Sequence, residues 1–120
     1  MNIKEIIEDF KKENHVKKCQ TKNGAFNQCD HISKVFLEEC QKQGFKCQLV
    51  RMHNNKGFFS KPHRLWKELD TSLWVHYALK IEGYGIVDFT IRQFESSLSF
   101  PYVYKSPEDI GFNKWAYEDY

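Results

Sequence analysis

The sequence predicts an α+β domain, with N-terminal helices packed on an antiparallel β-sheet. Three observations carry this. Apolar residues recur at helical spacing in two N-terminal segments. Two β-branched and aromatic runs flank a glycine-bearing turn. The helical segments precede the strands rather than alternating with them. The 120 residues fit a single domain, 1–120, and no repeat, low-complexity stretch or linker divides them.

The first helix follows from Ile3, Ile6, Ile7 and Phe10, which line one face of residues 3–16. Residues 18–28, KCQTKNGAFNQ, read as a loop. The second helix begins near Asn27, a good N-cap residue, with Asp30 three positions on in a near capping-box pattern. Gly44 ends it as a left-handed cap. At about 100° per residue, Cys29, Ile32, Ser33, Phe36 and Cys40 project within one sector. Cys29 therefore extends the packed stripe into the first turn.

FKCQLVRM (45–52) alternates as a strand, and HNNKGFFSKPHR (53–64) is a loop whose Phe58 and Phe59 suit a lid, a partner-binding edge or burial under the sheet. RLWKELD suits a short helical turn. LWVHYALKI (73–81) and IVDFTI (86–91) form a hairpin around EGYG. RQFESSLSFPYVY reads as irregular or edge-strand-like. SPEDIGFNKWAY reads as a final helix, with Ser106 as N-cap and Pro107 at the first helical position.

Composition excludes some function classes. Net charge is +2, from 18 basic and 16 acidic residues, and the most basic patch, KKENHVKK, is short. A nucleic-acid footprint needs a more biased face. No run approaches the roughly eighteen apolar residues of a membrane helix. The charged N-terminus lacks the apolar run of a signal peptide, which points to the cytoplasm. Cys19, Cys29, Cys40 and Cys47 contain no CxxC pair, so neither a zinc site nor any cofactor is expected. Cys40 and Cys47 sit at apolar positions and read as core, and Cys19 reads as a loop thiol. His15, His53 and His63 read as surface residues, and His31 points to another face than Cys29 and is not the base.

The remaining chemistry-bearing residues converge. A helix N-terminus and a nearby imidazolium both favour a thiolate, and Cys29 stands at such a terminus. His76 lies mid-strand with Trp74 and Ala78 on its face. Asp88 is an acid inside the partner strand, where acids are depleted. A three-residue loop, 82–84, pairs residue 81 with 85 and 78 with 88, which places Asp88 diagonally from His76 on one face. A two- or four-residue loop would separate them. Each residue also has a plainer reading: core thiol, satisfied strand histidine, partner of Arg92.

In this order Cys29, His76 and Asp88 suit nucleophile, general base and orienting acid. The oxyanion would take the Cys29 backbone N–H and a side-chain amide; of Gln20, Asn23, Asn27 and Gln28, Asn23 or Gln20 is favoured.

Helix, strand and strand bearing Cys, His and Asp resemble the papain-like and transglutaminase-like superfamily. WVHYALKIEGYGIVDFTIRQF followed by FPYVY is similar to the C-terminal half of small papain-fold toxin and deamidase domains and phage-encoded relatives. NGAFNQCDHIS resembles their nucleophile segment, though Gln28 stands where small residues often precede the cysteine. The resemblance covers residues 19–104. It implies a Cys29–His76–Asp88 triad acting through a thioester on protein amides: glutamine deamidation, transglutamination or cysteine proteolysis. It also implies a protein or peptide substrate and action inside a host or target cell. Trp74 would line the substrate cleft. The alternative is a papain-like fold kept as a binding or inhibitory module with the cysteine unused.

Overall fold

The computed structural model describes residues 2–25, 28–53, 75–93, 97–106, 109 and 114–118. Four α-helices, Ile3–Lys11 (α1), Asn14–Lys17 (α2), Lys22–Ala25 (α3) and Cys29–Lys42 (α4), precede five strands: Cys47–His53 (β1), Val75–Ile81 (β2), Gly85–Asp88 (β3), Tyr102–Tyr104 (β4) and Lys114–Glu118 (β5). All pairs are antiparallel, in the order β4-β3-β2-β1-β5. The architecture is α+β.

Local chemistry sets the ends of these elements. Asn2 caps α1 by accepting from the Glu5 amide (2.9 Å), and Glu5 accepts from the Asn2 side chain in return. The helix expected over 3–16 breaks after Lys11 and resumes at Asn14. The expected loop over 18–28 instead holds a 3₁₀ turn, Lys18–Gln20, and the short α3. Gly24 permits this folding-back, because a Cβ there would stand 1.8 Å from the Lys18 carbonyl oxygen. Helix α4 ends as expected. Gly44 has φ +86°, Phe45 N–H donates to the Cys40 carbonyl and Gly44 N–H to that of Gln41, both at 3.0 Å.

The hairpin has the three-residue loop that the site requires. Ile81 faces Gly85 and Leu79 faces Val87. Tyr84 N–H closes the turn on the Ile81 carbonyl (3.0 Å), with Gly83 at φ +79° where such a turn needs a left-handed residue. Strand β3 stops at Asp88 rather than running to residue 91. Edge strand β4 follows the cis Phe100–Pro101 bond. At the chain's end the expectation of a helix fails over Lys114–Glu118, which is strand β5 beside β1. Trp115 and Tyr117 alternate in KWAYE, and pairing satisfies the backbone of β1's free edge. The start of that expected helix, Pro107 and Glu108, lies outside the described residues.

Two apolar clusters sandwich the sheet. On the helix side Ile6, Ile7, Phe10, Ile32, Phe36 and Leu37 meet Leu49, Leu79, Ile81 and Val87. The rings of Phe10, Phe36 and Phe89 lie within 5.0 Å of one another, tying α1 and α4 to the chain after β3. Phe100 packs on Phe89. Cys19 belongs to this core and is fully buried, so it is not a loop thiol. On the other side Val50, Met52, Ala78, Ile86, Ile91 and Tyr104 cluster. The 53–64 loop beyond His53, with Phe58, Phe59 and His63, the RLWKELD segment, and Trp74 and Phe94 lie outside the described residues.

Candidate active site

The site is built where the start of α4 meets β2. Helix α4 is pinned there by Ser33, whose hydroxyl donates to the Tyr77 carbonyl (3.2 Å). Ser33 lies one turn after Cys29 on the same face, so the pin also sets Cys29 against β2. The helix begins one residue later than the composition suggests. Gln28 is its N-cap and makes no side-chain capping bond. Asp30 pairs with Lys34 (2.9 Å). Asn27, the expected N-cap, lies outside the described residues. The positive end of the helix lies at Cys29.

His76 is fully buried on β2, opposite Met52 of β1. Its Nε2 lies 2.5 Å from Asp88 Oδ2. Asp88 is 1% exposed, and both its oxygens are satisfied. Oδ1 accepts from the Thr90 N–H (2.9 Å) and hydroxyl (3.4 Å), and Oδ2 accepts from the Tyr104 hydroxyl (3.3 Å). Donors of this kind offset the cost of burying the carboxyl group. The bond to the Thr90 amide is an Asx turn, and it ends β3. The chain then enters a 3₁₀ turn, Ile91–Gln93, which returns Gln93 to His76. Gln93 Nε2 lies 3.2 Å from His76 Nδ1.

Cys29 completes the group. Its thiol is coupled to His76 and to the backbone at Tyr77, both of which favour the ionised form. Burial pushes the Cys29 thiol up, but the His76 hydrogen bond, the imidazolium charge and the Tyr77 bond together bring it below the ordinary range. Burial likewise pulls His76 down, and the Asp88 carboxylate outweighs it and holds the ring well above the ordinary value. Both directions favour a thiolate–imidazolium pair. Nε2 of the ring faces Asp88 and Nδ1 faces the Gln93 carboxamide. Tyr104, buried against Asp88, is pushed well above the usual phenol range by burial and by that carboxylate.

The other expected residues are placed differently. Gln20 and Asn23 are exposed on the segment before α4, and the Gln20 carbonyl accepts from Arg92 (3.0 Å). Arg92 does not take Asp88: its Nε donates to the Leu98 carbonyl (2.8 Å) and it lies over the Phe100 ring. Trp74 lies outside the described residues. His31 is exposed, and His15 packs beside it with Glu13 in reach. Sequence reasoning did not assign roles to Thr90, Gln93 and Tyr104. The Asp-x-Thr spacing of an Asx turn was the available signal for the first of these.

No group of three or more His, Cys, Asp or Glu among the described residues could hold a metal ion. No helix among them is long and apolar enough to cross a membrane. A surface cavity of about 590 Å³, lined by Gln41, Phe45, Lys46, Cys47, Gln48, Lys80 and Glu82, lies at the far end of α4 from Cys29. It has no part in the His76 chemistry. Neither family models, curated proteins nor solved structures match this chain.

Proposed function

We propose that this protein is a cysteine-dependent acyl-transfer enzyme of papain-like type, acting on protein amides through a Cys29–His76–Asp88 triad. One observation carries the reading. Of the four cysteines, Cys29 is the one set against a fully buried histidine whose Nε2 is held by a buried carboxylate.

The chemistry follows from these groups. The Cys29 thiolate attacks the amide carbonyl carbon. The Cys29 N–H and a side-chain amide, from Asn23 or Gln20, would stabilise the oxyanion. The Nδ1–H of His76 protonates the leaving nitrogen as the C–N bond breaks, which leaves a thioester. His76 then takes a proton from water or from an amine, which attacks the thioester and restores the thiolate. Asp88 holds the ring and offsets its charge throughout. A glutamine side chain would release ammonia, and a peptide bond would release a new amino terminus. Trp74 is the cleft residue of this reading, and the target is a protein of the cell the chain acts in.

Iodoacetamide labelling at about pH 6, read at each cysteine by mass spectrometry, tests it. Fast labelling confined to Cys29 and lost in His76→Ala supports an activated thiolate and directs the search to ammonia release and peptide cleavage. A second reading, a papain-like fold used only for binding, is favoured by the low exposure of Cys29, 9%. Uniform slow labelling of all four cysteines would select it.

A further inference from the structure

Among the described residues, Gln93 is the polar side chain at this site that is both buried and half-satisfied. It is 1% exposed, its Nε2 faces His76 Nδ1, and its Oε1 has no hydrogen-bond partner among those residues. Leaving a buried amide oxygen unpaired is costly, and native interiors rarely do so without a reason. The two ends of a carboxamide have nearly the same shape, so rotation by half a turn exchanges them without repacking.

We propose that Gln93 is the positioning residue of the His76 ring and that its carboxamide turns over when Nδ1 gains a proton. With a neutral ring, protonated at Nε2 toward Asp88, the Gln93 N–H donates to the Nδ1 lone pair. When the Cys29 S–H bond breaks and its proton forms the Nδ1–H bond, that donor would face another donor. The turned carboxamide presents Oε1 instead and accepts from Nδ1–H. This supplies the oxygen's missing partner and stabilises the imidazolium opposite the thiolate. The spacing Asp88, Thr90, Gln93 is what makes it possible, since one Asx turn places the carboxylate at Nε2 and the carboxamide at Nδ1.

The inference uses the same His76 and so rests partly on the proposed function, but its test needs no turnover. Among the described residues, the charged or titratable groups facing His76 include Asp88 from β3 and Cys29 from α4; Tyr104 from β4 reaches it through Asp88. Replacing Cys29 by Ser removes the thiolate and leaves a ring titration that reports Asp88 and Gln93. Nitrogen-15 NMR of the histidine ring in Cys29→Ser is compared with Cys29→Ser/Gln93→Leu and Cys29→Ser/Gln93→Met. Loss of the acceptor is expected to lower the His76 midpoint by about one pH unit, a tenfold change in protonation. In the Cys29-containing Gln93→Leu protein, labelling of Cys29 at pH 6 then falls about tenfold. In the unsubstituted protein the Gln93 side-chain amide signals shift with the His76 titration, which needs no substitution to fold. Amide signals indifferent to that titration would overturn the proposal. So would an unmoved midpoint in a folded Leu or Met variant. Slow Cys29 labelling in the wild type beside a shifted His76 midpoint would sink the enzyme reading and leave this one standing.

Discussion

Helix α4 carries a buried cysteine at each end, and the two thiols move in opposite directions. Cys29, in the first turn, lies below the ordinary range. Cys40, in the last turn, is pushed up to about 12 by burial, with Cys47 and Glu39 adding to it. Burial acts the same way on both. The difference is what stands opposite. Cys29 meets His76, backed by Asp88, while Cys40 meets apolar core and a second thiol, Cys47, which donates to the Leu37 and Phe45 carbonyls. The helix itself adds to the contrast, since its N-terminus favours an anion and its C-terminus opposes one. A buried cysteine is inert by default, and a charged partner on another element is needed to reverse that.

The comparison can be broken most completely at His76. In His76→Ala, Cys29 keeps its burial and loses its cation. Its labelling at pH 6 is expected to fall about a hundredfold, to the slow rate of Cys40. Mass spectrometry of both peptides in one sample reads this directly.

Asp88→Asn is expected to have the next largest effect. It keeps the shape and removes the charge that sustains the imidazolium, so Cys29 labelling at pH 6 falls about tenfold. It also weakens charge-assisted bonds from Thr90 and Tyr104, and urea unfolding should show a loss of about 2 kcal/mol.

Gly24→Ala sharpens the comparison by moving one end of α4 only. Its Cβ cannot stand 1.8 Å from the Lys18 oxygen, so the turn leading to Cys29 must shift. A stability loss of about 2 kcal/mol is expected in a thermal or urea melt, with Cys29 labelling slowed and Cys40 unchanged.

A last effect, on stability rather than on Cys29 labelling, is at alkaline pH. The folded-state value of Cys40 is about 12, above an unfolded value of about 8.5, so the stability it contributes is complete below about pH 8.5 and is lost as pH rises toward 12. His76, also raised in the fold, has the same sign: its contribution is complete below about pH 6.5 and is lost as pH rises through its folded value. Urea melts from about pH 8 to 11 should therefore show declining stability. Cys40→Ala should flatten part of the decline without altering Cys29 labelling.

Much of this contrast was legible in the chain. The stripe Cys29, Ile32, Ser33, Phe36, Cys40 placed both cysteines on the packed face, because helical periodicity is local and strong. The odd-length turn at Glu82–Tyr84 put Asp88 on the face of His76, because strand alternation and glycine's access to positive φ are also local. Gly44 announced the end of the helix in the same way. Where the reading failed, packing outside the local hydrophobic pattern decided the outcome. KWAYE became a strand because the free edge of β1 needed pairing. Cys19 entered the core because Gly24 let the chain fold back on Lys18.

The sequence alone determined the α+β class, the order of α1, α4, β1, β2 and β3, the burial of α4's cysteines and, given a three-residue turn, the His76–Asp88 face relation, since each follows from periodicity or turn geometry over a few residues. Only the tertiary structure decided that Cys29 meets His76, that Thr90 and Tyr104 satisfy the Asp88 carboxylate, and that Gln93 rather than Arg92 turns inward. Those outcomes depend on which elements come within hydrogen-bond range, a distance of about 3 Å that no spacing along the chain encodes.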